Sequence, residues 1–241
     1  MDAEAQIPLP FEEGSFSYEA EGRRYIAWKD TQRKTMIKVL HSQTRPRNGM
    51  HRQRFQALST ERKKNEVFSV HKTEYELTRD TMKGVVLPAE FFEQHIDADT
   101  AHALDPKGRL QAGRNFFMRQ EYVNNGMTVL EALKSTRANS QKFLKCLHML
   151  LERYILMRRL FNLVPEIYPL GGPNMLVDES GKIMIVDTNN LVPVQTSDEK
   201  PSRFYQKKFQ TVENWAMDAF VHAMSDAIEK VEKLLNGNST A

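Results

Sequence analysis

The spacing of apolar residues changes once along this chain. Phe16 to Tyr18, Tyr25 to Trp28 and Thr35 to Leu40 are short β-branched and aromatic runs. Glu-Ala-Glu-Gly-Arg-Arg and Lys-Asp-Thr-Gln-Arg-Lys separate them. Such runs, joined by turn-forming residues, predict an antiparallel meander. His41 to Arg54 is basic, contains Pro46 and Gly49, and is expected to be a loop. From Arg54 to Thr81 the composition becomes helical. Val67, Val70, Glu74 and Leu77 fall at i, i+3, i+7 and i+10, which places them on one helical face. Val85 to Glu90 and Phe116 to Val123 are strand candidates. The polar stretch Ile96 to Asn115, with Pro106-Lys107-Gly108 inside it, is expected to be an excursion from the fold.

After Asn124-Asn125-Gly126 the period becomes helical. Thr128 to Ser135 predicts a short helix and Ser140 to Leu163 a long one. The long helix carries Phe143, Leu144, Leu147, Leu151, Tyr154, Ile155 and Phe161 as its stripe. Val164 to Pro173 is expected to be a loop, and Gln195 to Pro201 a second one. A closing helix is expected near Thr211 to Asn236, with Phe220, Met224, Ile228, Val231 and Leu235 at helical spacing. The order is sheet plus one helix, a linker, then helices. This predicts an α+β chain of two unequal lobes, residues 14–123 and 124–241.

Bulk properties narrow the class. A chain of 241 residues is long enough for one large domain or for two small lobes with a shared interface. A net charge of +3 does not by itself argue for nucleic acid. The lone Cys146 excludes an internal disulfide and points to a reducing compartment, so a cytoplasmic location is expected. No run of apolar residues is long enough for a membrane span. The acidic, proline-bearing start, Met1 to Pro10, does not read as a signal peptide. Scattered histidines without cysteine partners indicate no zinc site.

The densest chemical signal is Asn174-Met-Leu-Val-Asp-Glu-Ser-Gly-Lys-Ile-Met-Ile-Val-Asp187. Met175 to Val177 and Ile183 to Val186 predict two strands, and Asp178 to Lys182 the turn between them. Gly181 is available there for a positive φ. Folding this hairpin brings Asn174 and Asp187 towards each other. Both are hard oxygen donors, suited to Mg²⁺, which keeps its other positions for water and phosphate oxygens. The competing reading is an ordinary hairpin with a capping Asn and a turn Asp.

This segment resembles the metal-binding hairpin of the protein-kinase-like superfamily, where an Asn closes the catalytic loop and an Asp opens the following motif. The resemblance implies a two-lobed kinase-like fold, with a small antiparallel-sheet N-lobe and a mainly helical C-lobe. It also implies ATP and Mg²⁺ as cofactors, with the nucleotide between the lobes. Asn174 and Asp187 are the implied metal ligands. Lys38, in Thr35-Met-Ile-Lys-Val-Leu, resembles the strand lysine that contacts the α- and β-phosphates. Strand alternation puts Lys38 on the face of Met36 and Leu40. Glu74 is the expected carboxylate partner of Lys38, with Glu66 and Glu76 as alternatives. Gln120-Glu-Tyr-Val-Asn-Asn-Gly126 resembles the hinge, where backbone groups of Glu121 and Val123 hold the adenine. Lys38, Glu74 and Asp187 are the implied catalytic groups.

The chain departs from the family pattern in several places. The catalytic Asp, five residues before the metal-binding Asn, is replaced by Pro169. Proline accepts no proton, and the nearest acid upstream is Glu166. The first hairpin turn, Glu19 to Arg24, offers only Gly22 where the family uses several glycines. Met36 stands where a small residue usually meets the adenine, and Thr188-Asn189-Asn190 follows Asp187.

A nucleotide-binding pseudokinase or regulatory module is therefore the first expectation. An ATP-dependent phosphotransferase acting on a protein or sugar hydroxyl is the alternative, since phosphoryl transfer relies chiefly on positioning and charge neutralisation. A non-nucleotide interaction scaffold is the third. The basic residues of 41–64, namely Arg45, Arg47, Arg52, Arg54, Arg62, Lys63 and Lys64, offer a surface for an anionic or protein partner. No aromatic-interleaved basic strand signals nucleic acid.

Overall fold

A computed structural model describes residues 16–21, 24–30, 34–44, 52–105, 107–138, 140–165, 167, 170, 172, 174–186, 191–193 and 204–237. The chain is α+β and divides into two compact units. Met1–Ser69 and Pro88–Tyr122 form the first; Val70–Leu87 and Val123–Ala241 form the second. This division differs from the one drawn on sequence at residues 70–87 and at Val123. The backbone of Leu87 donates to the Ile185 carbonyl at 3.0 Å, and Ile185 donates to the Val85 carbonyl at 2.6 Å. Those bonds join the segment to the second unit's hairpin.

The first unit is a five-stranded antiparallel sheet. The expected meander is present as β1 (Phe16–Glu21), β2 (Tyr25–Asp30) and β3 (Thr35–Leu40). Two helices follow, α1 (Arg52–Gln56) and α2 (Thr60–Thr81). Then come β4 (Ala89–Ile96), α3 (Ala98–Leu104) and β5 (Gly113–Glu121). The strand order is β1-β2-β3-β5-β4. The strand expected over Val85 to Glu90 begins later, at Ala89, and Val86 makes only a single bridge to Ile185.

Strand alternation sorts the apolar residues onto two faces. On one, Ile26, Trp28, Ile37, Val39 and Phe117 bury together with Ile96, Ala101, Leu104 and Leu110. The stretch expected to be an excursion, Ile96 to Asn115, is thus the cover of this face. Its apolar residues are spread over a strand end, a helix and a turn, so no single period reveals them. Asp97 caps α3, its carboxylate accepting the Thr100 N–H at 2.7 Å. After α3 the buried Asp105 carboxylate accepts from the Arg109 backbone at 2.6 Å and from Arg109 Nη2 at 2.9 Å. It also accepts the Leu110 N–H at 3.2 Å. Burial pushes the Asp105 carboxyl up, but the Arg109 side chain and these backbone donors outweigh it and hold the group below its ordinary value.

On the other face Tyr25, Leu40 and Phe116 pack with Phe55, Val67 and Phe68 of the two helices. Phe68 and Phe116 lie 5.0 Å apart, centroid to centroid. The basic stretch includes one residue that never reaches the surface. Lys64 is buried, its amine donating to Asn115 Oδ1 at 2.9 Å. Desolvation lowers its pKa, partly opposed by Glu61. Lys64 therefore leaves the set of basic residues available to an anionic surface. The buried stripe of α2 also differs from expectation. It runs through Lys64, Val67, Phe68, His71, Tyr75 and Thr78, whereas Val70, Glu74 and Leu77 sit half-buried on its flank. Two polar core residues, His71 and Thr78, hide this stripe from a hydrophobicity count.

The second unit continues with β6 (Met127–Thr128), α4 (Val129–Ala132), a 3-10 turn (Thr136–Ala138) and α5 (Gln141–Phe161). Next are β7 (Leu163–Pro165), β8 (Met175–Val177), β9 (Ile183–Ile185), β10 (Leu191–Pro193) and α6 (Phe204–Gly237). Thr128 and Glu131 close a capping box on α4. Ser140 caps the start of α5, and Asn162, left-handed at φ 53°, caps its end. The buried side of α5 is Phe143, Cys146, Leu147, Leu150, Tyr154 and Met157. Phe161, expected in the stripe, is the helix's last residue and is 43% exposed. The expected α6 stripe is buried at Phe220, Met224, Ile228 and Val231. Tyr154 and Phe220 meet at 4.5 Å between ring centroids, and burial raises the Tyr154 phenol above its ordinary range. Strand β7 takes the end of the expected long helix, Leu163, and the start of the expected loop, Val164 and Pro165, and pairs with β10. Among the described residues no helix is long and apolar enough to cross a membrane.

The Asp105–Arg109 pair yields a prediction. Replacing Asp105 by Asn strips the buried guanidinium of its carboxylate and lowers stability by about 3 kcal/mol, measured by urea unfolding at neutral pH. The native carboxyl binds protons less readily than the unfolded one, so its contribution is complete above the ordinary carboxyl pKa of about 3.9 and fades as pH falls below it. The gap between wild type and Asp105→Asn therefore narrows in acid.

Candidate functional site

The hairpin expected from the sequence forms as β8 and β9, with Met175 opposite Ile185, Leu176 opposite Met184 and Val177 opposite Ile183. Pairing extends one step further, the Val186 N–H donating to the Asn174 carbonyl at 2.9 Å. β6 pairs with the free side of β8, and Val86 bridges the free side of β9. Both hairpin edges are thus covered by other backbone, which suppresses edge-to-edge association.

The period of two divides the hairpin by chemistry. Met175, Val177, Ile183 and Ile185 are all essentially inaccessible. On the opposite face lie Asn174, Leu176, Met184 and Val186. Asn174, Leu176 and Val186 are half-buried, and Leu176 and Val186 pack against buried Leu87, Val123 and Met184. A polar amide therefore ends an apolar, partly accessible ladder. Gly126 lies against this ladder. A Cβ there would sit 3.0 Å from Val123 Cγ1 and 3.1 Å from Leu176 Cδ1.

The turn is held from within and from outside. Asp178 Oδ1 accepts from the Ser180 N–H at 2.8 Å, the Ser180 hydroxyl at 2.6 Å and the Lys182 N–H at 2.9 Å. Burial pushes the Asp178 carboxyl up, but these donors prevail and keep it below its ordinary value. Lys142 donates to the Ser180 hydroxyl oxygen at 2.6 Å. Gly181 has φ +81°, and a Cβ there would lie 3.1 Å from Ser140 Oγ and 3.3 Å from Phe143 Cβ. The glycine serves both the left-handed turn and the close approach to the start of α5.

The other expected site residues divide between the units. Lys38 is half-buried on β3, in register with Ala27 and Met118, and shares its face with Leu40 as expected. Glu121 ends β5 opposite Thr35, and its side chain is exposed. Next to it the Tyr122 N–H donates to the Lys34 carbonyl at 2.5 Å, and the Tyr122 hydroxyl accepts from Lys29 at 2.5 Å. These residues belong to the first unit. Glu74, Val123 and Asn174 belong to the second, where Val123 is buried and Glu74 half-buried. Asp187, Pro169 and Glu166 lie outside the described residues, as do Gly22 and Arg23 of the first hairpin turn. Among the described residues no cluster of three or more His, Cys, Asp or Glu side chains has the arrangement of a metal site.

Sequence reasoning missed the partly accessible ladder, although its signal was present. Taking every second residue from Asn174 and back from Val186 separates it from the buried face. Hairpin register, once fixed, pairs the two halves. No protein-family model and no curated protein sequence matches the chain.

Gly181→Ala adds left-handed strain of about 1–2 kcal/mol to a crowding cost of about 1 kcal/mol or more. Gly108, at φ +70° with no atom within 4 Å of its would-be Cβ, carries the strain alone. Thermal unfolding should rank the Gly181→Ala variant below Gly108→Ala, and equal losses would contradict the packing argument.

Proposed function

We propose that this chain is a kinase-like nucleotide-binding protein with a regulatory role. The carrying observation is the two-faced hairpin, which buries one apolar face and presents Asn174 at the end of a half-accessible one. A flat apolar base and a metal-bound polyphosphate need those two chemistries side by side. The order of elements supports the same reading: a small antiparallel sheet with a long helix between its third and fourth strands, then helices and the hairpin. Asn174 and Asp187 would hold Mg²⁺, which neutralises phosphate charge when bound. Lys38 would bind the α- and β-phosphates, with Glu74 as its carboxylate partner. Backbone groups of Glu121 and Val123 would hold the base.

The regulatory reading follows from what is missing. Pro169 replaces the proton acceptor, Met36 crowds the base and the first hairpin turn is poor in glycine. Retention of Lys38, Asn174 and Asp187 keeps a second reading open, an ATP-dependent phosphotransferase acting on a protein or sugar hydroxyl.

Calorimetric titration of Mg-ATP tests this. Wild type should bind, and Asp187→Ala, Asn174→Ala and Lys38→Met should each weaken binding by about tenfold or more, the loss of one charge-assisted contact. Absence of binding at millimolar Mg-ATP would reject the nucleotide reading and leave an interaction scaffold. Turnover of ATP that disappears in Asp187→Ala would favour the phosphotransferase over the regulatory module.

A further inference from the structure

Arg137, in the 3-10 turn before α5, joins two distant pieces of backbone. Its Nη1 donates to the Val177 carbonyl at 2.7 Å and its Nη2 to the Asn125 carbonyl at 3.0 Å. Val177 ends β8, one residue beyond Leu176. Asn125 lies between Val123 and Gly126, in a left-handed conformation at φ 50°. The same turn is tied to the hairpin a second time, the Asn125 side chain donating to Glu179 Oε1 at 2.6 Å. The turn holding Arg137 is itself fixed, since the Arg137 N–H donates to Ser135 Oγ at 3.2 Å and that hydroxyl donates to the Ala132 carbonyl at 3.0 Å.

We propose that Arg137 is a positioning residue for the nucleotide base: beside the pairing of Met127 with Val177 and of Thr128 with Leu176, it holds the 123–126 segment at a fixed spacing from the Leu176 strand. This inference rests on the nucleotide-binding reading above. Val123 and Leu176 are the apolar side chains that approach Gly126 from the two pieces Arg137 joins. A guanidinium holds its two donors at a fixed separation in one plane, so it fixes the distance between two carbonyls. A lysine ammonium is a point charge on a flexible stem and does not reproduce that spacing. Asn174, at the opposite end of β8, is held by its own pairing with Val186. Loss of Arg137 therefore loosens the base contacts and spares the metal and phosphate end. The guanidinium itself bonds backbone carbonyls and acts on the ligand only through the segments it spaces.

The test separates base from phosphate. Mg-ATP and Mg-UTP share the triphosphate and the metal and differ in the base. Both are titrated into wild type, Arg137→Met and Arg137→Lys, with circular dichroism and thermal melting to identify any variant that fails to fold. Wild type is expected to prefer ATP. Arg137→Met should weaken ATP about tenfold through the loosened base contacts, with UTP little changed, so that the preference collapses. Arg137→Lys should fall between the two, and it decides the matter if Arg137→Met does not fold. Equal weakening of both nucleotides, or no change in either, overturns the inference. Wild type binding ATP and UTP alike overturns it while leaving the nucleotide reading intact. Wild type binding neither overturns the nucleotide reading itself.

Discussion

One buried hairpin face organises the second unit. Met175, Val177, Ile183 and Ile185 are withdrawn from water, so the register of β8 and β9 cannot slip by one residue without turning four apolar side chains outward. That constraint determines which residues occupy the other face. It places the Asn174 amide in line with Leu176, across from Met184 and Val186. The backbone on both sides completes the constraint: Ile185 is bonded by Val85 and Leu87, and Val177 lies opposite Met127. A hairpin alone is marginal in water, and here β6 extends it to a three-stranded sheet while Val86 bridges its other edge.

The two units solve the same problem by different means. In the first, a sheet with two apolar faces needs two covers. The helical cover, from α1 and the start of α2, brings aromatic rings against Tyr25, Leu40 and Phe116. The other cover is compact and includes α3 and the Asp105–Arg109 pair. A buried ion pair adds little to stability over an apolar substitute, yet losing one partner is costly. Its role is to fix the turn that drops Leu110 into the core. In the second unit, helix packs on helix, with Tyr154 against Phe220, and the hairpin docks at the start of α5 through Gly181.

The second face of the hairpin is a half-accessible apolar ladder with the Asn174 amide at its end. The restraints around it, Arg137 on two carbonyls and Asn125 on Glu179, are polar bonds spent on backbone position. They hold the Asn125 turn against the end of β8 and the hairpin turn.

The sequence by itself determined the features that depend on local period and local turn chemistry. The β1–β3 meander, the approximate span of α5, the stripe of α6 and the β8–β9 hairpin are local patterns, so each is legible in a short window. Tertiary structure decided what depended on partners far along the chain. Lys64 is a core residue because Asn115, fifty-one positions away, accepts from its amine. The buried face of α2 passes through His71 and Thr78, so Glu74 lies on its flank. Ile96 to Leu110 became a cover because an apolar sheet face needed one, and β7 and β10 exist only through each other. Arg137 has no motif of its own. Its significance appears only when Val177 and Asn125 come within reach of one planar guanidinium, and no periodicity along the chain encodes that convergence.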